Sequence, residues 1–130
     1  MHAEHADNAA LNELSGRVIG CAFNVLNTLG VGFLEKVYES ALALELNDAG
    51  LSAVQQCSVK VRYKDVVIGE YFPDLLVENV LLVELKVVRA LDEVHRMQCT
   101  NYLKATGLRL CLLLNFGNPR LEIKRVVNGF

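Results

Sequence analysis

The sequence predicts an α/β fold in which helices flank a central mixed sheet, with the elements in the order ααβββαββ. Three observations lead to this fold class. Apolar residues recur every three or four positions early in the chain, alternate with polar residues in the middle, and form a nearly continuous run near the end. These patterns are typical of amphipathic helices, half-buried strands and a fully buried strand, in that order.

The length and composition limit the number of domains and the class of protein. With 130 residues, of which 52% are hydrophobic and 22% charged, the chain is long enough for one core, so we expect a single domain over residues 1–130. No apolar run approaches the roughly 18 residues of a membrane span. The opening residues lack the basic and apolar segments of a signal peptide. We therefore expect a cytoplasmic protein with no membrane partner.

The charge and the cysteines exclude other classes. The net charge of −2 gives no overall basic field, so any contact with nucleic acid must be local. The four cysteines lie far apart without the spacing of a zinc or redox motif, and we expect free, mostly buried thiols. They are Cys21, Cys57, Cys99 and Cys111.

Two amphipathic helices are predicted in the first part of the chain, separated by Gly30 and Gly32. The second is expected to stop at the Asn-Asp-Ala-Gly segment 47–50. The apolar side of the first helix consists of Leu11, Leu14, Val18, Ala22, Val25 and Leu29. That of the second consists of Phe33, Leu34, Val37, Tyr38, Ala41, Leu42 and Leu46.

The middle of the chain predicts a meander of three strands near 53–63, 66–77 and 81–88, with a tight turn at Lys64-Asp65. A helix follows over 91–105, and Gly107 stands where its C-terminal cap belongs. One side of this predicted helix consists of Leu91, Val94, Gln98, Tyr102 and Ala105.

Two strands are predicted to complete the chain. The apolar run 108–116 suits a strand buried on both faces, and 121–127 a final edge strand. An exposed terminal strand can pair with a second copy of the chain, so a homodimer is one expectation.

Three charged residues stand inside the apolar hairpin, and its register decides whether they meet. Glu84 and Lys86 share one face of the strand 81–88. A three-residue connection over 78–80 pairs residue 77 with residue 81 and places Asp74 opposite Glu84. A two-residue connection turns Glu84 to the other face.

Opposed carboxylates repel each other, and a divalent cation would convert that cost into binding. Mg²⁺ prefers such oxygen ligands, and a neighbouring lysine can position a water or stabilise charge on phosphorus. This chemistry is metal-assisted phosphodiester hydrolysis. A solvated face with a weak salt bridge is the alternative. The apolar residues on the same face favour a covered site; they are Phe72, Leu76, Leu82 and Val88.

Several motifs resemble a known superfamily. Pro73-Asp74 followed by Glu84-Leu85-Lys86 resembles the PD-(D/E)xK signature of the restriction-endonuclease-like nucleases, whose core is αβββαβ. Residues 32–38 resemble the G-x-x-E-x-x-Y pattern that names the GxxExxY family within that superfamily. Residues 98–102 resemble the Q-x-x-x-Y of its RecB-like branch. The resemblance covers about 11–117, which we take as the domain core.

The resemblance implies a metal centre in the hairpin. It implies that Asp74 and Glu84 bind Mg²⁺ or Mn²⁺, that the Leu85 carbonyl adds a ligand, and that Lys86 acts on the attacking water. Glu35 would match the helical acidic residue that reaches the metal directly or through water.

The resemblance also implies two helical site residues. Gln98 and Tyr102 would match positions that steady the lysine or the substrate backbone, and their spacing puts them on one helical side. Tyr38 we expect in the core with its hydroxyl hydrogen-bonded.

Two functional hypotheses remain. The first is a Mg²⁺- or Mn²⁺-dependent nuclease that acts on DNA or RNA. The second is a catalytically inactive module of the same fold that binds nucleic acid or a protein partner. The intact set of candidate site residues favours the first, and the acidic balance favours the second.

Overall fold

The computed structural model describes residues 2–128. The helices in this range are α1 (His2–Leu29), α2 (Glu35–Asp48) and α3 (Glu93–Thr106). The strands are β1 (Ala53–Gln55), β2 (Val59–Tyr63), β3 (Val66–Tyr71), β4 (Leu75–Val77), β5 (Leu81–Lys86), β6 (Leu110–Asn115) and β7 (Glu122–Val127). Among the described residues, no helix combines the length and the apolar character needed to cross a membrane.

Five strands form a mixed sheet in the order β1-β4-β5-β6-β7. β5 and β6 are parallel, and the other neighbours are antiparallel. A parallel pair requires a long crossover, which α3 provides. Every residue of β6 is buried, and β7 closes one edge of the sheet, as predicted for both segments. The predicted fold class, a mixed sheet flanked by helices, is confirmed.

Helices cover both faces of this sheet, and β5 distributes its side chains between them. Leu81, Val83 and Leu85 share the larger apolar core with α1 and α2. Leu82 faces the other way, into a smaller core that includes Leu103 of α3. The predicted alternation along β5 is therefore confirmed, and the face that carries Glu84 is the one covered by α3.

The predicted three-strand meander is wrong in one respect, because its first two strands each break in two. Gln56 has a left-handed backbone (φ 56°), which ends β1, and Pro73, which has no N–H for a ladder, lies between β3 and β4. β2 and β3 consequently pair only with each other as a separate hairpin. Lys64 and Asp65 both have positive φ, as in the tight turns that join such strands, so the predicted turn is confirmed.

The helix faces agree with the prediction only in part. The predicted side of α1 lies in or against the core. The buried side of α2 is shifted by about one position from the predicted side: Glu39 is buried, whereas Leu34 is largely exposed. On α3, Val94 is 75% exposed, since the predicted side borders a groove. The buried residues of α3 are Cys99, Tyr102 and Leu103.

Two smaller predictions are confirmed. Gly107 caps α3 in the left-handed conformation, with φ 75°. All four thiols are free, and three of them are buried.

Candidate active site

The connection between β4 and β5 sets the register of the site. Val77 pairs with Leu81, so the loop is the three-residue segment 78–80. Glu78 and Asn79 in this loop have positive φ, as tight hairpin turns require. One residue beyond β4, the same register places Asp74 across from Glu84. The odd-length connection on which the site depends is therefore present.

Asp74 and Glu84 meet through the backbone of the opposite strand. The Asp74 N–H donates to Oε1 of Glu84 at 2.9 Å, and the Leu85 N–H donates to Oδ2 of Asp74 at 2.8 Å. Both residues are buried, with 7% and 4% of their surfaces exposed. Each carboxylate thus has one oxygen held by a backbone donor, which fixes the direction of the other oxygen.

Both carboxylates are hard to ionise. Burial raises the pKa of Glu84 to about 8, and the negative charge of Asp74 adds to this rise. Burial also raises the pKa of Asp74 to about 6, with further contributions from the charges of Glu39 and Glu35. Like-charge repulsion between opposed carboxylates also raises a pKa, but in the structure burial is the larger cause for both groups.

Lys86 lies at the end of β5, with its side chain partly buried. Its Nζ is 3.8 Å from Oε2 of Glu84, the oxygen that is not held by the Asp74 N–H. The lysine charge lowers the pKa of Glu84, but less than burial raises it. The predicted covering of this face is present in part, because Leu76 and Leu82 pack beneath α3 whereas Phe72 is half exposed.

A polar clamp that the sequence analysis missed holds the chain beyond Lys86. The buried Asn115 side chain donates to the Val88 carbonyl at 2.9 Å and accepts from the Val88 N–H at 3.0 Å. The Phe116 N–H donates to the Lys86 carbonyl at 2.8 Å. A Cβ on Gly117 would lie 2.2 Å from the Val88 carbonyl oxygen, so only glycine fits there. In the sequence, the signal for this clamp was the segment Asn-Phe-Gly at the end of a buried strand.

Glu35, at the start of α2, is partly buried, and its charge acts on the site. Its negative charge raises the pKa of both Asp74 and Glu84. Burial raises the pKa of Glu35 itself, and the positive charge of Lys86 opposes that rise. The charge of Glu35 therefore acts on both carboxylates and on Lys86, and its role at a metal stays a prediction.

One helical turn beyond Glu35, Glu39 is a second acidic residue, which the sequence analysis did not include among the site residues; it is buried. Burial would raise its pKa, but hydrogen bonds from Lys36, Gln55 and Gln56 outweigh burial and lower it. Lys36 Nζ and Gln55 Nε2 both donate to Glu39 Oε2 at 2.9 Å. Glu39 is thus a buried carboxylate that stays charged.

Gln56 connects Glu39 to the site. Its Nε2 donates to Oε1 of Glu39 at 3.1 Å and more weakly to Oδ1 of Asp74 at 3.4 Å. Its backbone N–H donates to the Asp74 carbonyl at 3.0 Å. The left-handed backbone that ends β1 therefore turns Gln56 toward Asp74, and no periodicity in the sequence indicates this contact.

Tyr102 and Gln98 lie one helical turn apart on α3 and line the same groove. Burial raises the pKa of Tyr102, and the charges of Glu84 and Asp74 raise it further. Its ring lies 6.1 Å from that of Tyr71. Gln98, one turn earlier, is partly buried, and its side chain forms no hydrogen bond with residues 8–128. Tyr38 is fully buried and donates its hydroxyl to the Gly30 carbonyl, as predicted.

The donor set fits a hard divalent cation that keeps several waters. No group of three His, Cys, Asp or Glu side chains within residues 8–128 forms a preassembled metal centre. Mg²⁺ typically takes one or two carboxylates and completes its shell with water and substrate phosphate. Asp74 and Glu84 supply that minimum, since each keeps one oxygen without a backbone donor.

Comparisons with known proteins agree with this geometry. The family model described as the PD-(D/E)XK nuclease superfamily matches residues 12–126. No curated protein gives a significant match. The crystal structure of SSO0001 is similar with a TM-score of 0.54 at 14% identity, over 73% of this chain and 50% of that one. This chain therefore spans half the length of that protein, and at such low identity the likeness shows the fold alone.

Proposed function

We propose that this chain, which belongs to the PD-(D/E)XK nuclease superfamily, is a divalent-metal-dependent nuclease that hydrolyses phosphodiester bonds of DNA or RNA. The observation that carries the proposal is the buried pair of Asp74 and Glu84, which are held across the hairpin by each other's backbone. Two buried carboxylates without a cation are costly, whereas the same pair with Mg²⁺ or Mn²⁺ is a stable arrangement.

In this proposal Asp74 and Glu84 hold the metal, with the Leu85 carbonyl as a further ligand. Glu35 reaches the metal directly or through water, which its electrostatic influence on both carboxylates supports. When bound, the metal lowers the pKa of a water and stabilises negative charge on the phosphate. The buried surroundings exclude bulk water and strengthen each of these interactions.

Lys86 and two residues of α3 complete the proposed site. The Lys86 ammonium, 3.8 Å from Glu84, can orient the attacking water and stabilise charge that develops on the phosphate oxygens. In this proposal Gln98 and Tyr102 contact the lysine or the substrate backbone, which their position on one side of α3 supports. The hydrogen bonds between the Asn115 side chain and the Val88 backbone fix the chain two residues after Lys86.

Three finer assignments belong to the same proposal. The segment 32–38 supports membership of the GxxExxY family, and Tyr38 of that segment is the buried residue on which Phe116 stacks at 5.0 Å. We propose that residues 1–130 act as one domain in the cytoplasm. Pairing of two copies through the edge strand β7 remains a prediction.

A titration with Mn²⁺ tests the proposal. We expect Mn²⁺ to raise the melting temperature of the wild type and to support cleavage of labelled DNA or RNA oligonucleotides, since the ion binds only the folded state. Asp74→Ala should lose both effects. The matched control is Asp65→Ala, because Asp65 lies in the exposed β2–β3 turn. Equal melting shifts in all three proteins would contradict the metal site and favour the inactive interaction module.

A further inference from the structure

We propose that the groove between α3 and the hairpin β2–β3 binds single-stranded DNA, an inference that rests on the proposed nuclease function. The groove has a volume of about 1010 Å³. The hairpin contributes Arg62 and Tyr71 to one wall, and α3 contributes Val94, Met97 and Lys104 to the other. These residues combine apolar surface, an aromatic ring and cationic groups, which together match a DNA strand.

The groove is continuous with the candidate active site. Gln98 and Tyr102 line it, and the ring of Tyr71 lies 6.1 Å from that of Tyr102. The charges of Asp74 and Glu84 also act on the phenol of Tyr102, so this end of the groove lies near the acidic pair. A strand lying in the groove would therefore contact Gln98 and Tyr102, two residues of the proposed site.

The aromatic and apolar lining favours unpaired bases. Tyr71 is 53% exposed, so a substantial part of its ring is open to a ligand. Val94 and Met97 are likewise at least half exposed, across the groove. Bases in single strands stack on such side chains, whereas bases in a duplex already have their faces covered by neighbouring pairs. The lining therefore selects a single strand.

The charges in the groove favour a polyanion although the whole chain is acidic. Arg62 and Lys104 form no ion pair with the side chains of residues 8–128, so both are available to phosphates. Lys60 also lines the groove and is paired with Glu70 at 3.3 Å. Glu93, the acidic residue of the lining, is paired with an arginine at 3.7 Å. The local balance is thus positive, as backbone binding requires.

The apolar part of the lining favours DNA over RNA, although Gln98 and Asn101 also lie in the groove. Val61, Val94, Met97 and Ala105 present no hydrogen-bonding group to a sugar. RNA adds a 2′-hydroxyl to each sugar, and burying that group against apolar side chains would leave its hydrogen bonds unmade. Deoxyribose has no such group, so the strand that fits at least cost is DNA.

Fluorescence anisotropy with labelled oligonucleotides tests the inference in a Lys86→Ala background, where the proposed cleavage does not remove the probe. We expect single-stranded DNA to bind more tightly than the same sequence as a duplex or as RNA. Tyr71→Ala should weaken binding about 5- to 100-fold, the effect of losing one stacked base. Tyr71→Phe should keep the affinity. The control is Tyr63→Ala, because Tyr63 is an exposed tyrosine of the same hairpin outside the groove.

The salt dependence of binding tests the charged wall. Arg62→Ala should reduce the slope of log affinity against log salt by about 0.7, the loss of one phosphate contact on a single strand. Arg120→Ala, at an exposed arginine outside the groove, should leave the slope unchanged. Equal slopes for the two variants would overturn the assignment of the groove.

These experiments distinguish a failure of the proposed groove from a failure of the proposed nuclease. Tighter binding of duplex or RNA, or equal affinities of Tyr71→Ala and Tyr63→Ala, would overturn the inference even if the wild type cleaves DNA. Conversely, a wild type that binds single-stranded DNA through Tyr71 but cleaves no nucleic acid with Mn²⁺ would overturn the proposed nuclease and leave the groove intact.

Discussion

Replacing Glu84 with glutamine should stabilise the metal-free protein at alkaline pH, although it removes a proposed metal ligand. The amide keeps the shape of the side chain, and its oxygen can still accept the Asp74 N–H that Glu84 Oε1 accepts at 2.9 Å. What the substitution removes is the buried negative charge. The comparison therefore isolates the cost of ionising Glu84 from the packing of the side chain.

The size and sign of the effect follow from the pKa of Glu84. It is raised from 4.5 to about 8 by burial first and by the charge of Asp74 second. A carboxyl whose folded pKa is raised stabilises the protein fully below its unfolded pKa, and that stability is lost as pH rises through the folded pKa. A rise of this size corresponds to a loss on the order of 5 kcal/mol, as an upper limit.

Urea unfolding in EDTA, between about pH 5 and pH 9, measures this loss. The unfolding free energies of wild type and Glu84→Gln should be similar near pH 5, and the variant should exceed the wild type by several kcal/mol near pH 9. The control is Glu70→Gln, at an exposed carboxylate whose pKa is lowered by hydrogen bonds from Ser58 and then Lys60, so its small effect should have the opposite sign. Parallel pH profiles for wild type and Glu84→Gln would refute the reasoning.

Three further predictions concern the supports of the site. Gln56→Ala should lower the unfolding free energy by about 1–3 kcal/mol, through lost hydrogen bonds to charged partners, and should reduce the melting shift caused by Mn²⁺; an unchanged shift would contradict a role in positioning Asp74. Gly117→Ala should cost about 2 kcal/mol or more in urea unfolding because its Cβ meets backbone, whereas Gly16→Ala, in an open helical position, should stabilise the protein by about 0.5–1 kcal/mol; similar effects would contradict the close approach. Lys86→Ala should keep the Mn²⁺ melting shift and abolish cleavage of labelled oligonucleotides, and retained cleavage would exclude it as a catalytic residue.

The parts of the fold that were predictable from sequence are those set by local periodicity. The continuous apolar run of β6 and the alternation in β5 identified buried strands, because the number of buried faces determines such patterns. The register at 78–80 could be stated as a condition, since only an odd loop brings Asp74 and Glu84 together. The resemblance to the PD-(D/E)xK motif then favoured the register that places Asp74 opposite Glu84, and the structure has that register.

The parts that were not predictable depend on contacts between distant segments. Glu39 looks like a solvated residue of a helix, and only its hydrogen bonds to Gln55 and Gln56 explain why it is buried. The break at Gln56 depends on a left-handed backbone that glutamine adopts only in this tertiary setting. The clamp of Asn115 likewise involves residue 88, which is 27 positions away.

Pro73 gives the Pro-Asp sequence a physical reason. Along β5 the backbone groups of alternate residues point to opposite neighbours, and the Lys86 carbonyl accepts from Phe116, on the β6 side. The groups of Leu85 therefore point toward the β4 side, where residue 73 would continue the ladder. Proline has no N–H to donate, so the pairing stops, and Asp74 Oδ2 accepts the Leu85 N–H instead. The Leu85 carbonyl is left without that ladder donor, which supports the proposal that it is a third oxygen ligand for a hard cation.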